Sequence, residues 1–407
     1  MAAEATAVGI GVDAPVVAEA APGNRVLAVL CVASFLSALN FFATTPFYPE
    51  IADDLGTSVP LLGQATTLMI LVSVACGLLV GPLADRYGFR WPLVVGVSAV
   101  AVNLIGTGLA PAYPALLGLS LAGGLADAVV FGLPLAVAGS LYAGEAQRRA
   151  MTWIIGSMSV APMLGVPAMT ALGDLTGWRS ALVVTGCLTI GAAWMTAVSL
   201  PRDAARSGSR LRLAEVIAAY RPLLRHRGIV RLYLASGLRG IAWFGLLTYL
   251  GAFLKEEIGL SSSQAGLVYA ANGAGYLLGG TLSARLRSIS PRTLLTVAYA
   301  TAGTSVVVML LAADLWVTVA LLVLTSLASF TGGLALASLL TRDSPAGGGT
   351  TMAFNGSVMN LGAAIGAAVG GGLLALGGYV ALGLGLSVFA FAGAGLAWVS
   401  GEREGEG

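Results

Sequence analysis

The chain has 407 residues, of which 57% are hydrophobic and only 10% charged. Soluble domains carry about 25% charged residues; so few charges cannot cover a water-facing surface, and most of this surface must meet lipid. A net charge of +2 argues against a nucleic-acid partner.

In chain order, residues 1–24 are Ala-rich and carry Glu4, Asp13 and Glu19 without a basic start and apolar core. They are expected to form a disordered cytoplasmic tail rather than a signal peptide. A bilayer core takes about 20 apolar residues per helix. That rule divides the rest into twelve spans: 25–48, 61–82, 92–111, 114–141, 151–172, 180–200, 229–254, 264–284, 293–311, 315–340, 351–376 and 378–399. Residues 201–228 are an Arg-rich connection at the chain midpoint, with Leu211, Leu213, Val216 and Ile217 giving it an amphipathic stretch suited to a membrane surface. It divides an N-terminal bundle, 25–200, from a C-terminal bundle, 229–399, with a second cytoplasmic tail at 400–407.

With the N-terminus inside, eighteen of the 21 Lys and Arg residues fall in inside loops or tails. Arg179 and Lys255 fall outside, and Arg239 lies within a span. Missing one span near the middle would destroy this bias, so it supports the span count and places both termini in the cytoplasm. The halves also repeat. A shift of 201 residues brings Met151, Gly165, Leu172, Gly177 and Trp178 onto Met352, Gly366, Leu373, Gly378 and Tyr379. Gly81-x-Leu83-x-x-Arg86 recurs as Gly280-x-Leu282-x-x-Arg285. Two bundles in the same orientation are a parallel repeat, one of the designs of secondary transporters.

Other chemistries lack their residues. Cys31, Cys76 and Cys187 sit in apolar runs with neither disulfide nor metal spacing, and are expected to pack as small apolar groups. The single histidine, His226, lies in the basic connection. Paired intramembrane carboxylates, a nucleophile elbow and a Walker A loop are all missing, so neither an enzyme nor an ATP-driven pump is expected, and no catalytic or metal site.

Residues 81–90 read Gly-Pro-Leu-Ala-Asp-Arg-Tyr-Gly-Phe-Arg. This run resembles the signature loop between the second and third helices of the major facilitator superfamily, with Gly81, Leu83, Asp85, Arg86, Gly88 and Arg90 fitting and Phe89 replacing a basic residue. The resemblance implies an all-α integral membrane protein of twelve transmembrane helices in two pseudo-symmetric six-helix bundles. It implies that Asp85 caps the eleventh helix near Thr350, and that Arg90 pairs with an acid at the inner end of the fourth helix, for which Glu145 is the candidate. Gly165-Val-Pro167 on the fifth helix is similar to the twelve-helix drug:proton antiporter branch, in the form found in sugar-efflux and chloramphenicol-efflux-like members. Where many drug exporters carry an Arg on the fourth helix, this chain has Ser120, so a mechanism resting on that Arg does not carry over.

Charges inside a bilayer normally face a cavity or a partner. Asp127 lies near the middle of the fourth span, on one face with Ser120, Gly123, Phe131 and Pro134. It is expected to be the protonation site or the ligand of a cationic group, because a carboxyl held away from water is a natural proton carrier. Arg239 lies about three turns into the seventh span, on one face with Ser236 and Trp243. It is expected to pair with Asp127, to bind an anionic group, to form a structural ion pair, or to reach the inner interface by snorkelling. Asn40, on a face with Ser37 and Thr44, and Asn360, beside Gly356 and Ser357, are further cavity candidates. Gly362, Gly366 and Gly370 form a close-packing stripe.

The expected function is a proton-coupled antiporter that exports a small amphipathic compound from a bacterial cell by alternating access across the inner membrane. It would work as a monomer, with no cofactor, and draw on the proton gradient. Uptake of a nutrient, or a non-transporting receptor or assembly protein of the same fold, stands beside it.

Overall fold

The computed structural model describes residues 24–201, 221–283, 285–286, 288–345 and 348–399. The expected tails and most of the midpoint connection, including its amphipathic stretch, lie outside these residues. Within them the chain is almost wholly helical. Hydrocarbon offers no hydrogen bonds, so a spanning segment must satisfy its own backbone, and a helix does so.

The helices in order are α1 (Asn24–Phe42), α2 (Tyr48–Asp54), α3 (Val59–Tyr87), α4 (Arg90–Leu109), α5 (Tyr113–Val130), α6 (Leu133–Leu141), α7 (Gly144–Val160), α8 (Val166–Thr176), α9 (Trp178–Ser199), α10 (Arg227–Glu256), α11 (Ser262–Ser283), α12 (Pro291–Ala312), α13 (Leu315–Asp343) and α14 (Gly348–Val399). Ten helices among the described residues are long and apolar enough to cross a membrane; the last, Thr350–Val399, has double length. It breaks at Gly377 and Gly378, where the twelve-span reading places its last boundary. Large apolar side chains stand exposed around the outside, among them Leu188, Trp194 and Trp316, as a lipid-facing surface requires.

Three spans depart from the simple reading. The first runs on past Phe42 through a 3-10 turn at Thr45–Phe47 into α2, because Pro46 and Pro49 shift the backbone without ending it. That extension places Glu50 and Asp54 on helix. The fourth divides at Phe131–Gly132, since Pro134 has no N–H to return to Val130. The fifth contains a π-helical turn at Ala161–Gly165, directly ahead of Pro167, the usual accommodation of a proline inside a helix. Cys187 is exposed on the outer face of α9 rather than packed, while Cys31 and Cys76 are half-buried. His226 caps α10, its Nδ1 accepting from the Ile229 N–H at 3.5 Å.

The repeat is visible in three dimensions. Gly177 and Gly378 take φ values of 88° and 65°, turning α8 into α9 and the first limb of α14 into the second; only glycine adopts this region at no cost. The next residue is an aromatic donor in both halves. Trp178 Nε1 donates to Asp54 Oδ2 at 2.8 Å, and Tyr379 Oη donates to Glu256 Oε2 at 2.7 Å. Gly165 lies against Phe35 and Leu39 of α1, and its counterpart Gly366 lies against Ile241 of α10.

The glycine stripe is a contact surface, as expected. A side chain at Gly362 would fall on the Gly237 carbonyl, and one at Gly366 on the Ile241 carbonyl. Backbones in contact leave nothing flexible to yield. Gly366→Ala is therefore expected to destabilise by about 1–3 kcal/mol, whereas Gly356→Ala, on the same limb with nothing within 4 Å, is expected to be neutral. Thermal unfolding of the two purified variants in one detergent checks this; equal midpoints would show that the seam is not under this constraint.

Candidate functional site

A cavity opens between the halves. Ser37, Phe41, Asp127 and Phe131 line it from the first half, and Phe244 and Asn360 from the second. Its walls are mainly apolar, with the Phe41 and Phe244 rings edge to face at 5.4 Å. The halves touch beside it, where Ile70 packs on Ala363 and Ala364 and Thr67 Oγ1 donates to the Ala364 carbonyl at 3.4 Å.

Asp127 stands ~21 Å along the fourth span from Tyr113, at 1.5 Å per residue, one turn before the break at Phe131–Gly132. Two buried amides hold it. Asn103 Nδ2 donates to Asn40 Oδ1 at 2.9 Å, and Asn40 Nδ2 donates to Asp127 Oδ1 at 2.9 Å. The relay has a direction, since each amide passes a donor toward the carboxylate. It fixes the side chain while leaving the rest of the carboxylate to the cavity. Asn103 is not among the residues the sequence singles out; a buried amide on α4 facing Asn40 is visible only once the helices are packed. The face expected to carry Ser120, Gly123, Asp127 and Phe131 into one cavity divides. Asp127 and Phe131 reach the central space. Ser120 bonds its own helix at Leu116 and lines a second pocket within the first half, and Gly123 packs on Asn103 and Met69.

Arg239 does not pair with Asp127. Its Nη2 lies 2.7 Å from Met359 Sδ, while its Nε is buried with no hydrogen-bond partner. It lines a separate pocket inside the second half with Trp243 and Tyr299. Trp243 is buried there and stacks on Tyr276, with centroids 6.4 Å apart and planes at 30°. The sequence candidates therefore sort into three groups: Asp127 and Asn360 at the central cavity, Asn40 behind Asp127 in the pocket within the first half, and Arg239 with Trp243 inside the second half.

In the signature loop, Gly88 turns the chain with φ 78°. The Arg90 guanidinium lies 5.7 Å from the Trp91 ring centroid, and its Nε is buried without a partner. The expected Arg90–Glu145 pair is not made. Glu145 is in the first turn of α7 and pairs at 2.8 Å with Arg148, one turn on along the same exposed face. The side chains at Gly81, Asp85 and Arg86 lie outside the described residues. On the fifth span, Gly165 meets α1, and Pro167 meets Gly266 of α11, so both build the contact of α8 with its neighbours.

Polar contacts between the halves concentrate at the end that carries Lys255. Lys255 Nζ, almost buried, forms an ion pair with Glu50 and also donates to Ser262 Oγ at 2.6 Å. Asp174 accepts from the backbone N–H groups of Ser262 and Ser263 at 3.2 and 2.9 Å, so the first half caps a helix of the second. Tyr269 Oη donates to Thr45 Oγ1 at 3.2 Å. The ion pair ties the two halves at this end. Lys255→Met leaves Glu50 without its cation and is expected to raise the reaction rate of a cysteine at Thr44, in a chain otherwise without cysteine, about tenfold toward an impermeant thiol reagent, or ~1.4 kcal/mol. An unchanged rate would show that the pair does not hold this end shut.

Among known families, the model for the Major Facilitator Superfamily matches residues 30–341 and 232–406. The chain is 28% identical over 282 residues to a chloramphenicol resistance protein of Streptomyces lividans, covering 67% of this chain and 69% of that one. It is 28% identical over 374 residues to a Pseudomonas aeruginosa protein named transcription regulatory protein OpdE, covering 88% and 89%. Among solved structures, a bacterial homologue of the human lysosomal transporter Spinster, inward-facing and occupied, superposes with a TM-score of 0.73 at 18% identity, over 93% of this chain and 96% of that one. The family match spans both halves, and the chain belongs to the major facilitator superfamily of membrane transporters.

Proposed function

We propose that this transporter is a proton-coupled antiporter that exports a small amphipathic compound across the inner membrane of a bacterial cell. The observation that carries this reading is Asp127: a carboxylate at mid-depth, facing the cavity between the halves and held there by the Asn103–Asn40 relay. A group so placed can take a proton or a cationic substrate, but not both, and that exclusion is what exchange requires. The apolar walls suit an amphipathic compound, and similarity to a chloramphenicol resistance protein supports export.

The basic loops support an arrangement with the Lys255 end outside and both termini in the cytoplasm. The Lys255–Glu50 pair then latches the outer side, and the cavity is reached from the cytoplasm. Rocking of one half on the other would break the Lys255 latch and close the opposite side. The proton gradient is the energy source, no cofactor takes part, and a monomer suffices because one chain builds the cavity.

The test uses everted vesicles energised to be acid inside and loaded with a pH-sensitive dye. Chloramphenicol and matched cationic, neutral and anionic amphiphiles are added to wild type and to Asp127→Asn, which retains the shape of the side chain. Wild type is expected to release protons in response to one class, and the variant at least tenfold less. An equal response in the variant removes Asp127 from coupling. Silence of wild type toward every compound moves nutrient uptake, or the regulatory role that the name of the Pseudomonas relative suggests, to the front.

A further inference from the structure

Asn103 anchors the network that holds Asp127, yet its own bonding is incomplete. Its Nδ2 donates to Asn40 Oδ1, and Asn40 Nδ2 donates to Asp127 Oδ1, both at 2.9 Å. Asn103 is only 6% exposed, but its Oδ1 has no hydrogen-bond partner among the described residues. Thr107, one turn on along α4 and 3% exposed, has a hydroxyl in the same condition. Both residues line the pocket within the first half, together with Asn40. Farther along that pocket, Tyr48 and Thr66 satisfy each other at 2.5 Å, which leaves the hydrogen-bonding capacity at Asn103 and Thr107. A buried amide oxygen without a donor is costly, and the pocket has room for about two water molecules beside it.

What meets Asn103 Oδ1 decides the direction of the whole network. An amide donates on one side and accepts on the other. A donor placed against Asn103 Oδ1 turns its Nδ2 toward Asn40, and Asn40 must then turn its own Nδ2 toward Asp127. Hydrogen bonds donated to a carboxyl group favour its charged form. Without that donor both amides can turn over, and Asn40 Oδ1 then faces Asp127 and favours the neutral acid. Competing influences are few. No other charged side chain lines the cavity or the pocket among the described residues, and Tyr48 is the one other titratable group in their walls. Cys31 of α1 and Cys76 of α3 line neither space. Arg90 begins α4, Glu145, Arg148 and Arg149 stand exposed in the first turns of α7, and Arg239 of α10 lies in its own pocket.

We propose that the pocket in the first half is a binding site for ordered water, and that Asn103 is a positioning residue for proton exchange. The water donates to Asn103 Oδ1 and bonds to Thr107 Oγ1. Through Asn103 and Asn40 it holds Asp127 in the charged form until a proton arrives from the cavity. The assignment deepens the proton-exchange reading and rests on it for the purpose of that control, but the protonation of Asp127 is measured without transport.

The experiment is an infrared pH titration of the purified full-length protein in lipid vesicles. The C=O stretch of neutral Asp127, assigned by its loss in Asp127→Asn, is followed in wild type, Asn103→Leu, Thr107→Val and Thr107→Ser. The affinity of Asp127 for its proton is expected to rise about tenfold in Asn103→Leu and about threefold in Thr107→Val, which keeps the shape of the side chain without its hydroxyl. Thr107→Ser is expected to titrate with the wild type. Exchange into heavy-oxygen water is expected to shift the band of a tightly held water in wild type, and to shift none in Thr107→Val. Unchanged or lowered affinities overturn the proposal, as does a Thr107→Ser that moves with Thr107→Val, since packing and not the hydroxyl is then at work. A wild type without the isotope-sensitive band, or without any titrating band that belongs to Asp127, overturns it as well. Should Asn103→Leu fail to fold, the nearly isosteric Thr107 pair decides alone. Raised affinities in the variants with a silent proton assay would sink the antiport reading alone, whereas Asp127-dependent proton release with an unmoved titration would sink this one alone.

Discussion

A charge carried into hydrocarbon must find a partner or water, and this constraint organises the molecule. Deep in the described membrane-spanning interior it leaves one acid, Asp127, and one base, Arg239, one in each half. The simplest solution, a direct ion pair between them, is not adopted. The acid is held by two amides and faces the central cavity, and the base is held by sulfur and phenols beside a pocket of its own. Two charges that could have cancelled are kept apart, and only the acid faces the central cavity. A pair would have locked the halves together at mid-depth and removed the chemistry from the cavity.

The scaffold that keeps them apart is the same in both halves. Gly165 against α1 and Gly366 against α10 set the same crossing, and Trp178–Asp54 and Tyr379–Glu256 tie the same corner. In lipid there is no hydrophobic force to press helices together, so close backbone contact through small residues does that work. Because the glycines fix the frame, the polar residues are free to differ. On the equivalent first and third helices of each half, one carries Asn40 and Asn103, the other Arg239 and Tyr299. One frame has acquired opposite chemistries.

Much of this is legible in the sequence, for physical reasons that can be named. The membrane-length helices and the repeat depend on apolar length and on glycine spacing, and both are linear properties of the chain. Asp127, Arg239 and Asn360 stand out because a polar residue in an apolar run is anomalous wherever the run is placed. The pairing of these residues is not legible. Asn103 is unremarkable until α4 is laid against α1, and the separation of Arg239 from Asp127 depends on which side of α10 faces Met359. The Arg90–Glu145 pairing fails for a local reason: a neighbour one turn away on the same exposed helix is always within reach, and Arg148 is that neighbour for Glu145. The extension of the first span into α2 is hidden because Pro46 and Pro49 read as an ending, and with it goes the position of Glu50.

The position of Glu50 bears on how the molecule can move. A transporter must be shut firmly enough on one side to be impermeable, yet open without a large barrier. The latch meets both demands because it is polar and lies at the membrane edge. When Lys255, Glu50 and Asp174 separate, each charge passes into water, and the hydration gained offsets most of the interaction lost. An apolar seal of the same area would expose its surface on opening with no such return. The glycine seams within each half are the opposite case: backbone pressed on backbone, with no polar group for water to receive. The bundles therefore stay intact while the contact between them exchanges. The boundary between the bundles is where Asp127 faces the cavity, so an exchange of that contact changes the exposure of its carboxylate.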